Sequence, residues 1–340
     1  MLTSATQEPG LQPRYRRILS FGDVLDESIG LYRRHWVTFA LVSSLWLIPP
    51  GLLGLWYSAS GTFSTPTIVD ALQRSPGQAL GLLTPVITAF VVLGVVWALF
   101  YVAWTTAIVA TTDAFLHGAD TGLARIVGRT LRRFGSVFIG SMLILIGLVL
   151  LLIVSSVPLI LVPIGVLGGL IALVGLSVWW LRPTARRTWL KWLIIVGTPY
   201  GLPTYFSGVW SMFLAAAVIE GHGPIGALRR STQLVDRNWF RVVGVLTVGG
   251  LIVGVLQYAP SLLIQLPLSL SAASRGALGA GPTEQAISTA ASVVVQILFA
   301  SMGSIVYAML YVDLRNRREG TDIAERLSRL EDIEPTVSNA

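Results

Sequence analysis

Residues 137–157 read VFIGSMLILIGLVLLLIVSSV and contain no charged side chain. A helix needs about 20 consecutive apolar residues to cross the hydrocarbon core of a bilayer, so this stretch predicts a membrane-spanning helix. Other parts of the chain qualify or nearly qualify by the same criterion. The seven apolar segments are 36–57, 82–112, 137–157, 159–181, 192–219, 239–266 and 286–312.

The composition supports the same class of protein. Hydrophobic residues make up 54% of the 340 residues and charged residues only 12%, whereas a soluble domain carries about a quarter charged residues. We therefore predict an all-α fold, a polytopic transmembrane helical bundle. A polar tail at 1–19 precedes a membrane domain at 20–312, and a helix and tail follow at 313–340. The chain has no cysteine, which excludes disulfides, thiolate metal sites and a cysteine nucleophile.

The distribution of arginine predicts the topology. The formal net charge is +7, and the arginines flank the apolar segments, which favours anionic lipid headgroups as partners and no nucleic acid. The loops 58–81 and 268–285 carry one arginine each, while the other connections are rich in arginine. By the positive-inside rule we expect a multi-pass protein of the plasma membrane with both termini in the cytoplasm.

The number of crossings should be even. Seven crossings would place the arginines at 315–318 outside, whereas six keep every arginine-rich connection inside. One middle segment therefore enters the membrane without crossing it. The two candidates are 137–181, which contains two prolines, and 192–219, which we expect to be broken around 199–203. The basic residues between them favour the second, and both alternatives stay open.

A weak three-unit internal repeat accompanies this even count. Residues 25–36 and 228–239 share Leu, Ser, Leu, Arg and Trp at identical spacing, and a looser copy lies at 125–134. Each copy belongs to an amphipathic segment that leads directly into a span. We name these segments interfacial helices 1, 2 and 3, which are residues 20–36, 123–134 and 224–239. We expect them to lie at the cytoplasmic headgroup region, with an apolar stripe against an arginine face.

Local signals support each interfacial helix. Ser20 and Asp23 have the spacing of a capping box at the start of interfacial helix 1, and Pro224 fits the first turn of interfacial helix 3. Interfacial helix 2 shows the clearest helical period. Its apolar face comprises Leu123, Ile126, Val127, Thr130, Leu131 and Phe134, and its opposite face Arg125, Arg129, Arg132 and Arg133.

The residues that chemistry needs are scarce. His35, His117 and His222 are far apart and lack metal-ligand spacing, so we interpret them as capping or headgroup contacts at helix junctions. The apolar segments hold almost no ionisable side chains, which usually mark function inside a membrane. These observations favour a protein without enzymatic activity, and they predict no cofactor, no metal and no catalytic residue.

Three acids stand at the cytoplasmic ends of spans, namely Asp113, Glu220 and Asp313. A carboxylate at a helix C-terminus opposes the macrodipole and costs about 0.3–1 kcal/mol unless it is paired. We therefore predict that each acid lies within salt-bridge reach of an arginine from an interfacial helix. The expected donors are Arg33, Arg34, Arg125, Arg229 and Arg230.

Three stretches carry a resemblance to a known family. Residues 20–36 (SFGDVLDESIGLYRRHW), 218–231 (VIEGHGPIGALRRS) and 311–320 (YVDLRNRREG) resemble the glycerophosphoryl diester phosphodiesterase membrane-domain family. The resemblance implies a helical membrane fold. It implies no activity, because the His-Arg pair that opens the active site of the family's soluble catalytic domain is absent: Trp or Gly follows every His. Residues 182–206 look expanded relative to the family.

Three functions are compatible with the sequence. The leading one is a non-catalytic membrane protein that serves as a lipid-associated scaffold or envelope module. The alternative is a facilitator or transporter of an apolar or zwitterionic solute. The third is a membrane-bound enzyme of lipid or phosphodiester metabolism.

Overall fold

The structure is a computed structural model that describes residues 18–60, 79–119, 122–161, 201–275 and 281–319. Within these ranges the regular structure is helical, which confirms the all-α prediction. A 3₁₀ turn at Asp236–Asn238 joins two of the helices. The helices are α1 (Phe21–Ala59), α2 (Ala79–Leu116), α3 (Leu123–Leu161), α4 (Gly201–Trp210), α5 (Phe213–Ile219), α6 (Pro224–Val235), α7 (Trp239–Ser274), α8 (Pro282–Phe299) and α9 (Ser301–Glu319).

Five helical stretches in the described ranges are long and apolar enough to cross a membrane: Phe21–Ala59, Thr84–Leu116, Leu123–Ile153, Pro224–Ser271 and Pro282–Glu319. The apolar segment 159–181 and the residues before 201 in the segment 192–219 lie almost entirely outside the described residues. The six-crossing topology therefore stays a prediction. Most of the helix and tail expected at 313–340 also lies outside them, and α9 runs through position 313 without interruption.

The chain divides into two compact units. The first comprises Met1–Phe134 with Gly244–Ala340, and the second is Gly135–Val243. In the first unit, α1 packs against α2, α8 and α9, and α9 also packs against α2. The Nε1 of Trp104 donates to the Oγ of Ser43 over 3.0 Å, and the hydroxyls of Ser58 and Thr289 lie 2.9 Å apart. These bonds satisfy polar side chains that lipid could not satisfy.

Buried hydroxyls of α2 are satisfied inside the helix. Thr106, Thr111 and Thr112 are fully buried, and each donates to the carbonyl oxygen four residues earlier over 2.7–2.8 Å. Such back-bonding to the i−4 carbonyl lets a threonine face an apolar interior without an orphaned hydroxyl. The polar residues of α2 therefore pack as part of the bundle.

In the second unit, α6 packs against α4 and α5. The described part of the segment 192–219 is helical from Gly201 through Trp210, and a break falls at Ser211 and Met212. The break expected around 199–203 stays a prediction, because the residues immediately before 201 lie outside the described ranges. The break is bridged by Ser231 of α6, whose hydroxyl accepts from the Met212 N–H over 3.1 Å and donates to the Val209 carbonyl over 2.7 Å.

The repeat is visible in the burial pattern. Ser28 and Leu31 are buried, and so are Ser231 and Leu234, each 203 residues later (231 − 28 = 203). Phe39 and Val42 are also buried. Their equivalents 98 residues later, Val137 and Gly140, and 203 residues later, Val242 and Val245, are buried as well. The three copies therefore present the same face to the protein interior.

In two copies of the repeat, the amphipathic segment meets the span at the equivalent residue. In α1 the backbone is non-helical at His35 (φ −125°, ψ 23°), and in the third copy the equivalent residue, Asn238, ends the 3₁₀ turn. The middle copy has no such break, because α3 is a continuous helix through this position. Two of the three interfacial helices thus meet their spans at a bend.

The predicted apolar face of interfacial helix 2 is divided between the protein interior and the surface. Ile126 and Thr130 are buried, whereas Leu123 and Leu131 are 45% and 61% exposed. The buried row runs through Ile126, Thr130 and Val137, at i, i+4 and i+11, so the helix is rolled relative to the expected stripe. This roll leaves the two leucines outward, and Arg125 and Arg132 of the opposite face are exposed as well.

Candidate functional site at the helix junctions

Ion-pair clusters occur at three junctions between an apolar helix and a neighbouring segment. We define cluster 1 as Asp113, His117 and Arg129, cluster 2 as Glu220, His222 and Arg230, and cluster 3 as Asp313 and Arg317 with the backbone of Leu19. Each contains one of the three acids singled out from the sequence.

Cluster 1 joins the end of α2 to interfacial helix 2. Asp113 is only 5% exposed, and its Oδ2 lies 2.7 Å from a guanidinium nitrogen of Arg129. The Nδ1 of His117 lies 3.2 Å from Oδ1 of the same carboxylate and 2.8 Å from the Asp113 carbonyl oxygen. The carboxylate thus faces two potential cations, which offset its unfavourable place at a helix C-terminus.

The turn that follows the end of α2 requires a glycine. Gly118 has φ 65°, a left-handed conformation that a side chain disfavours. The Ala119 N–H donates to the Ala114 carbonyl over 2.8 Å and the Gly118 N–H to Phe115 over 3.2 Å, which is the Schellman pattern of a helix end. This turn directs the chain toward interfacial helix 2, so that Arg129 can return to Asp113.

The pKa of His117 is raised, first because its side chain is hydrogen-bonded to the Asp113 carboxylate; the charge of that carboxylate adds to the effect, while burial and the Arg315 charge oppose it. A raised folded-state pKa stabilises the fold fully below the unfolded pKa of about 6.5, and the contribution is lost as pH rises through the folded pKa.

We therefore expect His117→Gln to destabilise the protein more at pH 5.5 than at pH 8.5, by less than about 1 kcal/mol because His117 is partly exposed. Thermal unfolding in detergent micelles at both pH values measures the difference. His35→Gln serves as a control for loss of an imidazole. An equal loss of stability at both pH values in His117→Gln would contradict the expectation.

Cluster 2 joins the end of α5 to α6 with a two-point contact. The Nε and a terminal nitrogen of Arg230 each donate over 2.9 Å to the two oxygens of Glu220. The Nε2 of His222 lies 3.0 Å from Oε2. Gly221 between them has φ 75°, so this junction, like that of cluster 1, combines an acid, a left-handed glycine, a histidine and an arginine. Bidentate guanidinium–carboxylate pairs are among the stronger ion pairs of proteins.

Cluster 3 is built differently. Asp313 is fully buried, and its Oδ2 accepts from the Nε of Arg317, one turn later on the same helix, over 2.9 Å. Its Oδ1 accepts from the Leu19 N–H over 2.9 Å, and the Arg317 guanidinium donates to the Leu19 carbonyl. The arginine that contacts Asp313 here belongs to its own helix, and a backbone segment supplies a second partner.

The expected donors are placed as follows. Arg230 contacts Glu220, and the Nε of Arg34 donates to the Gly30 carbonyl over 3.2 Å. Arg33, Arg125 and Arg229 are exposed. Arg129, Arg317 and the backbone of Leu19 were not among the expected partners. The i,i+4 spacing that Asp313 shares with Arg317, and Asp113 with His117, is a signal that could have found these two pairs in advance.

The ion pairs of the clusters hold neighbouring segments together. Across the described ranges, no three His, Asp or Glu side chains are grouped so that they could hold a metal ion. What the arrangement does is neutralise a carboxylate at a helix end and fasten a neighbouring segment to it.

The described helices include several that are apolar enough to span a membrane, and apolar side chains such as Phe90 and Leu263 are outward, at 72% and 74% exposure. These features define a helical integral membrane protein. Ion pairs join two of its amphipathic helices to the apolar helices that precede them. Within that class, the chain belongs to the family described as a domain of unknown function (DUF7847), whose model matches residues 103–314. The match includes all three acids. No curated protein and no solved structure matches the chain.

Proposed function

We propose that the protein is a non-catalytic, lipid-associated module of the plasma membrane, with its interfacial helices in contact with anionic headgroups. The observation that carries the proposal is that interfacial helix 2 exposes both Leu123 and Leu131 of its apolar face and Arg125 and Arg132 of its opposite face. Exposed apolar side chains and exposed arginines on two sides of one amphipathic helix suit the boundary between acyl chains and anionic headgroups.

The clusters support this proposal because they fix the interfacial helices to the spans. Arg129 holds interfacial helix 2 through Asp113, and Arg230 holds interfacial helix 3 through Glu220. Arg129 and Arg230, which form these pairs, are partly buried, whereas Arg125 and Arg132 are exposed. The arginine distribution also supports the orientation that we propose, with both termini in the cytoplasm.

The proposal is tested by spin-labelled lipids. The chain has no cysteine, so Leu131→Cys can carry a single fluorophore. In nanodiscs we expect spin-labelled phosphatidylglycerol to quench it at least about twofold more than spin-labelled phosphatidylcholine at equal mole fraction, because each arginine near the surface attracts anionic lipid.

The double substitution Arg125→Gln with Arg132→Gln should abolish this preference. Arg275→Gln, which removes an exposed arginine outside the interfacial helices, should retain it. Equal quenching by both lipids in the unsubstituted background would reject headgroup selectivity, and no quenching by either would reject lipid contact.

The runner-up, a facilitator of an apolar or zwitterionic solute, is supported by two buried polar atoms of the first unit. The Oγ of Ser301 and the Nε1 of Trp46 make no hydrogen bond to the described protein atoms. Uptake of a radiolabelled zwitterionic solute into proteoliposomes, reduced by Ser301→Ala, would favour this function over the first.

A further inference from the structure

Clusters 1 and 2 share a rule of connectivity. In each, an acid in the last turn of an apolar helix or directly after it contacts the interfacial helix that comes next in the chain: Asp113 contacts Arg129 of interfacial helix 2, and Glu220 contacts Arg230 of interfacial helix 3. Asp313 is the third acid, and it lies within α9, which continues to Glu319. It makes a long-range contact with Leu19, immediately before interfacial helix 1 and 294 residues away.

Cluster 3 binds the backbone N–H and carbonyl groups of a single residue. Asp313 accepts the Leu19 N–H, and Arg317 donates to the Leu19 carbonyl, so both polar groups of one residue are held by one ion pair. Leu19 is itself buried, at 2% exposure. The next residue, Ser20, is extended (φ −70°, ψ 176°) and caps α1 by accepting from the Asp23 N–H. The clamped residue is therefore rigidly connected to the first turn of interfacial helix 1.

We infer that Asp313 and Arg317 form a binding site for an extended peptide backbone, whose ligand is the chain's own segment 18–20. The site is the third repeat's counterpart of clusters 1 and 2. The acids then hold the interfacial helices in cyclic order: Asp113 holds the second, Glu220 the third, and Asp313 the first. This inference stands on the hydrogen bonds of the described residues and is independent of the lipid contact proposed above.

Cyclic order has a consequence that simple anchoring lacks. Loss of each acid should loosen one particular interfacial helix, and for Asp313 that helix lies at the opposite end of the sequence. Asp113→Asn should loosen 123–134, Glu220→Gln should loosen 224–235, and Asp313→Asn should loosen 18–27. Asparagine and glutamine keep the shape of the side chain and remove the charge that strengthens these bonds.

The test is hydrogen–deuterium exchange of the full-length chain in detergent micelles. In Asp313→Asn we expect exchange of the Leu19 amide and of the first turns of α1 to accelerate about tenfold, with 123–134 and 224–235 unchanged. Glu319→Gln is the matched control, since it breaks the exposed Arg315–Glu319 pair on the same helix and should leave Leu19 as it is.

Acceleration confined to α9 in Asp313→Asn, or spread equally over all three interfacial helices, would overturn the inference. Arg317→Gln gives a second measurement if Asp313→Asn folds poorly. It leaves Asp313 in place to accept the Leu19 N–H and removes the contact to the Leu19 carbonyl. Exchange within 18–27 should again accelerate, and unchanged exchange there would also overturn the inference.

Discussion

Replacing Ser231 by alanine should lower the free energy of unfolding by about 2–4 kcal/mol, because it orphans two buried backbone groups. The Ser231 hydroxyl accepts from the Met212 N–H and donates to the Val209 carbonyl, and Ser231 is fully buried. Those backbone groups border the break between α4 and α5, where the helix no longer satisfies all of its own polar groups. An apolar interior offers no substitute partner. SDS titration in mixed micelles measures the loss.

The repeat supplies a matched control at Ser28. This residue is also buried, but its hydroxyl donates to the Val24 carbonyl within α1 over 2.6 Å, where the helix already provides that carbonyl with an N–H. Ser28→Ala should therefore cost less than about 1 kcal/mol, since alanine also favours helix. Equal losses of unfolding free energy for the two substitutions would show that the hydrogen bonds of Ser231 across the break stabilise the protein no more than the hydrogen bond of Ser28 within α1.

Features set by local chemistry could be predicted from the sequence. The capping box of Ser20 and Asp23 is confirmed, with both reciprocal hydrogen bonds present. Pro224 is confirmed in the first turn of α6. Both depend on residues within one helical turn, so the remainder of the fold has little influence on them. The apolar character of the spans is likewise a property of composition, which the helices confirm.

Features set by the roll of a helix could not be predicted. Helical period alone gave Leu123 and Leu131 the same face as Ile126, yet only Ile126 is buried among the three. A roll of a few tens of degrees decides this, and packing against neighbouring helices sets it. The same roll brings Arg129, rather than Arg125, to Asp113. The choice among arginines on one helix is therefore a tertiary outcome.

The break in the segment 192–219 illustrates a second limit. Proline and glycine around 199–203 predict a break there, which stays a prediction because the residues immediately before 201 lie outside the described ranges. The break at Ser211 and Met212 depends on Ser231, about twenty residues later, which supplies hydrogen bonds to the backbone beside it. No local pattern near Ser211 indicates it. The repeat did mark Ser231, although the sequence could not show that the two equivalent serines act differently.

Gly140→Ala is expected to destabilise the protein by about 2–3 kcal/mol through overpacking. A Cβ at this position would overlap the ring of Phe213, and Phe213 is only 3% exposed, so the ring has little room to move. The repeat alone suggests the opposite, because the equivalent positions, Val42 and Val245, carry larger side chains. In the middle copy the aromatic ring of α5 takes the space that valine fills in the other two.

Gly128→Ala on the same helix is the matched control. No atom lies within 4 Å of a Cβ built there, so alanine should stabilise α3 by about 0.5–1 kcal/mol through its helix propensity. The two Gly→Ala substitutions thus have opposite expected signs, which SDS titration resolves directly. Combining Gly140→Ala with Phe213→Leu should recover about 1–2 kcal/mol relative to the sum of the single substitutions, because the two residues contact each other. Strict additivity would show that the ring is not what excludes a side chain at position 140.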